Sequence, residues 1–184
     1  PTRPCGAVTD GKPGIGVLIK DCFHLLSIQR CVVHVTRELK ILLPKHSPLD
    51  ATQALRAIAL MLPMIHGEAD RTVFFLSLMV WEQQYGELLK HRTIPPPGSG
   101  VHRRWWYTHG NLRRAWRLLN LDPATLFAFL DTHGVPATNN SLEGVNRHLH
   151  RRVGMGKGKQ LSLMLWKLAL SRVTTPVHKK QLWD

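Results

Sequence analysis

Acidic residues are scarce in this sequence of 184 residues, which holds twelve Asp plus Glu against twenty-five Lys plus Arg. The formal net charge is therefore +13 with histidine neutral. A polyanion is the commonest partner of a surface that basic. The composition thus favours a chain that contacts nucleic acid.

Cysteines and long apolar runs are also few. The three cysteines are Cys5, Cys22 and Cys31, an odd number that does not match the disulfide framework of a small secreted protein. No uninterrupted apolar segment reaches the ~18 residues that a membrane span needs, and no signal segment opens the chain. We expect a protein of the reducing cytoplasm with no membrane partner. At 43% hydrophobic and 20% charged residues, the chain can form a globular core.

The first part of the chain, residues 1–45, has a mixed α/β pattern. Residues 5–9 (CGAVT) are small and apolar and predict a short strand, which Asp10 and Gly11 end. An amphipathic stretch then predicts a helix, and the apolar residues 25–33 predict a second short strand. The order of these segments is strand, helix, strand.

The rest of the sequence predicts helices. Residues 46–137 contain four helical patterns and a loop at 94–100 (IPPPGSG), where three prolines and two glycines prevent regular structure. The last two of these helices are expected near 108–119 and 123–132. Residues 138–184 predict a helix near 140–152, another near 161–173 and a basic tail. Residues 93–184 hold fourteen Lys/Arg and four Asp/Glu, so the polyanion-binding surface is predicted to be mostly C-terminal.

Two carboxylates have positions that suit chemistry. Asp10 follows the first strand, where a side chain projects towards a ligand at the strand's carboxyl end, although an Asx-turn in the segment DGKPG explains it equally. Glu143 begins a cationic helix, where an acid can meet a metal beside a phosphate backbone. Asn140 and Glu143 also have the spacing of a capping box, which requires no catalysis.

Three other patterns are weak. Cys31 and His34 have the spacing of half a zinc site, but no second pair completes four ligands, so a structural role near the site is favoured. The glycines after Asp10 do not complete a dinucleotide fingerprint, because Ile19 occupies the third glycine position. The segment 154–159 (GMGKGK) does not have phosphate-loop spacing.

Basic residues interleaved with aromatic rings predict the nucleic-acid contacts. Such a pattern combines phosphate pairing with base stacking. Trp116 and Tyr107 are more simply explained as core residues. The predicted contacts are Arg103, Arg104, Arg113, Arg114, Arg117, Arg147, Arg151, Arg152, Lys157 and Lys159.

The order of motifs resembles a known family. The segments are DGKPG at 10–14, QRCVVH at 29–34, RRWWYTH at 103–109 with LRRA at 112–115, and PATNNSLEGVNRHLHRR at 136–152. Together they resemble the C-terminal portion of the catalytic region of Mutator-type insertion-sequence transposases. The resemblance covers nearly all of the chain.

The resemblance implies a fold and an activity. Such transposases have an RNase H-like core, in which an Asp-Asp-Glu triad holds two magnesium ions for phosphodiester hydrolysis and strand transfer at the ends of the element. By this resemblance, Asp10 matches the second Asp and Glu143 the final Glu. The resemblance also implies a helical insertion between them, with Cys31, His34, Asn139 and Asn140 as structural residues near the site.

One family feature is missing, because residues 1–9 contain no acidic residue to serve as the first Asp. We therefore expect a partial core, an incomplete magnesium site and a chain that is inactive in this form. A portion of a longer protein or a decayed copy fits this pattern. The intact protein would self-associate on DNA ends and belong to the bacterial cytoplasm and nucleoid. The alternative hypothesis is a non-catalytic DNA-binding module with a helix-turn-helix at residues 112–132.

Overall fold

The computed structural model describes residues 4–12, 14–23, 26–100, 102–120, 122–140 and 143–144. The chain forms two compact units, residues 1–138 and residues 139–184. The described residues lie almost entirely in the first unit. This unit is dominated by helices and contains a few short strands, so the predicted mixed α/β class is confirmed at that level.

The elements of the first unit are short. The strands are β1 (Gly6–Thr9), β2 (Ser27–Arg30), β3 (Arg92–Thr93) and β4 (Trp106–Tyr107). The helices are α1 (Ile15–Cys22), α2 (Val32–Leu42), α3 (Asp50–Ala59), α4 (Glu68–Tyr85), α5 (Gly110–Asn120), α6 (Pro123–Leu126) and α7 (Ala128–Asp131). Short 3-10 turns occur at Leu62–Met64 and Gly86–Lys90.

Strands β1 and β2 form a parallel pair with α1 as the crossover. Gly6 lies opposite Ser27, and Thr9 opposite Arg30. Parallel strands need such a crossover, because the chain must return to the same end of the sheet before the second strand starts. The predicted order of strand, helix and strand is therefore present.

The second strand is shorter than the apolar run 25–33 from which it was predicted. It ends at Arg30, and Cys31 is already the N-cap of α2. The prediction of a strand as far as residue 33 is wrong, because β1 offers only four residues for pairing and Val32 and Val35 are buried in the helical core. Apolar runs alone do not separate a buried strand from a buried helix start.

The core lies among α2, α3, α4 and α5. Phe74, Leu78 and Trp81 of α4 are buried in it. The Trp81 indole donates a hydrogen bond to the carbonyl oxygen of Ala51 at 2.8 Å, and its ring stacks on Trp116 with centroids 4.9 Å apart. Trp116 is thus a core residue, as its sequence context favoured.

The loop at 94–100 connects the two strands of a hairpin. Arg92 of β3 pairs with Tyr107 of β4, and Thr93 pairs with Trp106. Gly98 and Gly100 have φ values of 79° and 69°, which only glycine adopts without strain. The proline-rich segment therefore turns the chain back on itself inside the first unit.

The helix predicted near 123–132 is divided. Asp122 caps α6 by accepting the Thr125 N–H at 3.3 Å, and the chain then breaks at Phe127, where φ is −120° and ψ is 17°. The Phe127 ring lies 5.6 Å from Phe74 and 5.4 Å from Phe75, centroid to centroid. A single continuous helix is the wrong prediction here, because burying this ring takes precedence over helical continuity.

Gln29 connects β2 to these short helices. Its side chain is fully buried and donates to the Leu126 carbonyl at 2.9 Å. Its amide oxygen accepts the Phe129 N–H at 3.0 Å. A buried polar side chain of this kind fixes the position of the segment that it bridges, because its partners would otherwise be left without hydrogen bonds.

The end of the first unit returns to the strands. The hydroxyls of Ser27 and Thr132 are 2.8 Å apart, and the Ala137 carbonyl accepts the Val32 N–H at 3.0 Å. A Cβ atom at Gly6 would collide with Val135, so a glycine is required where this segment crosses β1. Residues 132–137 therefore lie against the parallel strands. In the described part of the chain, no helix is long and apolar enough to span a membrane.

Candidate nucleic-acid interface and carboxylate site

Three segments of the first unit meet at the carboxyl ends of β1 and β2. The Thr9 carbonyl, the last of β1, accepts the Cys31 N–H at 2.7 Å, and the next N–H, that of Val32, is donated to Ala137. Two consecutive hydrogen bonds therefore join the end of β1, the start of α2 and the last residues of the unit. Ligands of open α/β sheets bind at this edge, beyond the strands' carboxyl ends.

Asp10 lies at this junction, in the first position after β1. One carboxylate oxygen accepts the Lys12 N–H at 3.2 Å, which is an Asx-turn, and the other lies 3.2 Å from the Lys12 ammonium. The Asp10 side chain is 27% exposed and the Lys12 side chain 73% exposed. The turn expected from the residues is therefore present, and the second carboxylate oxygen lies beside a solvated lysine.

The surroundings of Asp10 favour its charged form. The backbone N–H of Lys12 lowers the pKa of the carboxyl below its ordinary value of 3.8, and burial opposes this effect. The Lys12 side chain and the charge of His34 lower the pKa further. Asp10 is thus an anion at neutral pH.

The turn after Asp10 requires glycine for two reasons. Gly11 has a φ of 80°, in the left-handed region. A Cβ atom there would also lie 2.8 Å from the Nε of Arg30 and 2.9 Å from one of its terminal nitrogens. The Arg30 guanidinium therefore packs directly against the backbone of the β1–α1 turn.

A basic cleft of about 510 Å³ opens beside this turn. It lies between the β1–α1 turn and α5, and Ile28, Val17 and Leu118 provide apolar wall. Its charged lining residues are Lys12, Lys20, Arg30, Arg114, Arg117, Glu38 and Asp122. Five cations against two anions make this a concave surface suited to an anionic ligand.

Two of the predicted DNA-contacting arginines face this cleft. Arg114 and Arg117 lie one turn apart on α5, and both side chains line it. Arg114 forms an ion pair with Glu38 of α2 at 3.2 Å, in which its side chain remains 68% exposed. Such an exposed pair contributes little stability, so Arg114 can exchange Glu38 for another anion at small cost.

The Arg113 side chain packs against other residues of the protein. Its guanidinium carbon lies 3.9 Å from the centre of the Tyr107 ring, and the side chain donates to the Leu89 carbonyl at 3.0 Å. Both partners belong to the hairpin region that precedes α5. The sequence pattern did not distinguish this packed arginine from its neighbours Arg114 and Arg117.

Arg103 and Arg104 lie elsewhere, before β4. Both are exposed and line a second surface depression of about 670 Å³ together with Trp105 and Tyr107. Trp105 is 40% exposed, and the guanidinium of Arg92 covers one of its faces at 4.1 Å. This cluster combines cations with an accessible ring, as the motif RRWWY predicts, but it is separate from the basic cleft.

Cys31 and His34 lie at the start of α2. Cys31 is fully buried beside the end of β1, and His34 is half-buried. Among the described residues, no three His, Cys, Asp or Glu side chains converge in a group that could hold a metal ion. A two-magnesium site needs several converging carboxylates, so the residues that the structure describes do not fit one.

The second predicted carboxylate belongs to the second unit. Asn139, Asn140 and Glu143 form the beginning of a helix, in which the Glu143 N–H is donated to the Asn139 carbonyl at 3.0 Å. Glu143 is half-buried, and its approach to Asp10 stays a prediction. The other predicted contacts of this unit lie outside the described residues: Arg147, Arg151, Arg152, Lys157 and Lys159.

Comparison of the chain with family models, curated proteins and solved structures finds no match. The site is therefore interpreted from its own geometry. Lys12, Lys20 and Arg30 were missed as candidate contacts in the sequence. Lys12 had a usable signal, since it lies in the turn that directly follows the first predicted strand. Arg30 had none, because the predicted second strand continued past it to residue 33, and Lys20 reaches the cleft only through the packing of α1.

Proposed function

We propose that this chain is a portion of a Mutator-type transposase catalytic domain and that it binds DNA through the basic cleft. The observation that carries the proposal is the junction of the end of β1, the start of α2 and residue 137 directly beside that cleft. The resemblance implies a helical insertion between Asp10 and Glu143, and this junction joins the chain where the run of helices starts to the chain where it ends. The motif residues Asp10, Cys31 and His34 all belong to this junction.

The electrostatics of the cleft support DNA as its ligand. The five cations come from three separate parts of the chain: the β1–α1 region, the end of β2 and α5. A phosphate backbone, which carries one charge per nucleotide, pairs with cations distributed along a groove. Asp10 is an anion next to this groove, in the position that the family resemblance gives to a catalytic carboxylate.

The proposal includes no hydrolytic step. The described residues do not fit two magnesium ions, and the resemblance supplies only Asp10 and Glu143 as ligands. The chain is therefore proposed to bind DNA without cutting it. The alternative hypothesis of a helix-turn-helix at 112–132 has less support, because α6 and α7 have four residues each and pack against β2, while a recognition helix must enter the major groove.

The test is the salt dependence of DNA affinity. We expect log affinity for a labelled duplex to fall linearly with log salt, and Lys20→Ala with Arg117→Ala to reduce the slope by up to about 1.8, or about 0.9 for each lost phosphate contact. The matched control is Lys40→Ala with Lys45→Ala, which removes the same charge from exposed positions outside the cleft.

The C-terminal arginines provide a second variant. Replacing Arg147, Arg151 and Arg152 together by Ala is expected to reduce the slope by up to about 2.7 by the same principle. If the double variant of Lys40 and Lys45 reduces the slope as much as the double variant of Lys20 and Arg117 does, DNA binding depends on net charge alone and the proposed cleft is wrong.

A further inference from the structure

Helix α4 has a second apolar face that points away from the core. Its buried side chains, Phe74, Leu78 and Trp81, occupy one side. On the opposite side, Val73, Leu76 and Val80 are 53%, 54% and 62% exposed, with Met79 beside them at 65%. At 100° per residue these four positions cover one continuous band, which we call the α4 stripe.

The spacing of the stripe matches a coiled-coil heptad. Ala69, Val73, Leu76, Val80 and Gln83 follow one another at intervals of four, three, four and three residues. In heptad positions this puts β-branched Val73 and Val80 at a and Leu76 at d, the combination that favours two-stranded pairing. The stripe therefore has the pattern of a helix that packs against another helix.

The polar residues that flank the stripe already form hydrogen bonds within the helix. The Thr72 hydroxyl donates to the Glu68 carbonyl at 2.9 Å, and the Ser77 hydroxyl donates to the Val73 carbonyl at 2.8 Å. Their hydrogen-bonding groups are thus satisfied within the helix, so covering them with a partner costs little. No stripe residue is charged, although the chain as a whole is strongly basic.

Local charge distinguishes the kind of partner. Residues 50–90 hold three Lys/Arg and five Asp/Glu, whereas the whole chain holds twenty-five and twelve. A segment with more acidic than basic residues is a poor surface for nucleic acid. A second copy of this basic chain can also approach it without meeting an excess of positive charge. A second α4 also supplies the same heptad spacing and the same uncharged face.

We propose that the α4 stripe is a homodimer interface, in which α4 of one chain packs along α4 of a second copy. The heptad segment that contains the stripe, from residue 69 to residue 83, is about 21 Å long. Two heptads form a small interface compared with the roughly 800 Å² per partner of stable complexes. The dimer is therefore weak, with a Kd on the order of micromolar, and it forms without DNA.

The experiment is sedimentation equilibrium of the full chain at several concentrations, after nuclease treatment and with a reducing agent. The wild type is expected to follow a monomer–dimer equilibrium. Leu76→Lys is expected to raise its Kd at least about tenfold, because two-fold symmetry puts two lysines into the interface. The matched control is Ile41→Lys, which alters a 76% exposed apolar residue of α2 outside the stripe and is expected to leave the Kd unchanged.

Circular dichroism checks that each variant is folded, and Val73→Gln with Val80→Gln replaces Leu76→Lys if that variant unfolds. A wild type that stays monomeric overturns the proposal. If Leu76→Lys also lowers the melting temperature of that monomer, another part of the same chain covers the stripe. A dimer that both stripe variants leave intact also overturns the proposal. The test does not depend on DNA binding, so it is independent of the proposed function.

Discussion

Asp10 illustrates how one residue combines a structural and a chemical role. Its Oδ1 accepts the Lys12 N–H, and its charge interacts with Lys12 and His34. Asn preserves the acceptor and removes the charge, whereas Ala removes both. Comparing these two substitutions therefore separates the Asx-turn from the electrostatics.

We expect Asp10→Ala to lower the free energy of unfolding by about 0.5–1 kcal/mol at neutral pH and Asp10→Asn by less, because an exposed ion pair contributes little. The pKa of Asp10 is lower in the folded chain than its ordinary value of 3.8, so its charge stabilises the fold above that pH, and this contribution disappears as the pH falls through the lowered pKa. Chemical denaturation at neutral and strongly acidic pH measures the difference. A gap between wild type and Asp10→Asn that grows on acidification contradicts this assignment.

Gln29 is the residue whose loss is expected to cost most among the polar positions described. Gln29→Leu removes the partners of the Leu126 carbonyl and the Phe129 N–H inside the core, and we expect a loss of about 2–4 kcal/mol of unfolding free energy. Denaturant titration checks this value. Gln84→Leu, on the exposed side of α4, is the control and is expected to change stability by less than about 0.5 kcal/mol.

At the scale of the element, α5 carries three arginines that differ in what they contact. Arg113 stacks on Tyr107 and donates to Leu89, whereas Arg114 pairs with Glu38 at the surface and Arg117 faces the cleft. Successive positions on a helix differ by 100°, so neighbours in sequence face different surroundings.

We expect Arg113→Ala to lower the melting temperature and to leave the salt slope of DNA affinity unchanged, with a stability loss of about 1–2 kcal/mol from the cation–π contact and the hydrogen bond. Arg117→Ala is expected to leave the melting temperature unchanged and to reduce the salt slope of DNA affinity. Thermal denaturation and duplex binding of the two variants provide the comparison. A salt slope that Arg113→Ala reduces as much as Arg117→Ala does means that Arg113 contacts DNA, and a slope that Arg117→Ala leaves unchanged means that Arg117 does not.

For the whole molecule, the decisive expectation is binding without cleavage. In magnesium, the chain is expected to retain duplex DNA but to leave a supercoiled plasmid uncut, because the matched motifs supply two carboxylates where a two-metal site needs more. Nicking measured on agarose gels tests this, with Glu143→Gln as the control. Nicking that Glu143→Gln abolishes reveals a further carboxylate ligand and an active chain.

The sequence by itself determined the order of the local elements. The alternation of apolar segments with Asp10 and Gly11 predicted β1 and α1, and the prolines of 94–100 predicted a loop, because these patterns act over a few neighbouring residues. It also determined the charge that makes DNA the expected partner. The RNase H-like core, the magnesium site and the transposase activity remain predictions from the motif order.

Only the tertiary structure decided which side chains share a surface. It ended β2 at Arg30 because β1 is four residues long, and it broke the helix at Phe127 because that ring packs against Phe74 and Phe75. It brought Lys20 and Arg117, distant in sequence, to one cleft, and it left the α4 stripe outside the core. These outcomes depend on contacts between distant residues, whose free energy outweighs local propensity, and no local pattern in the chain encodes them.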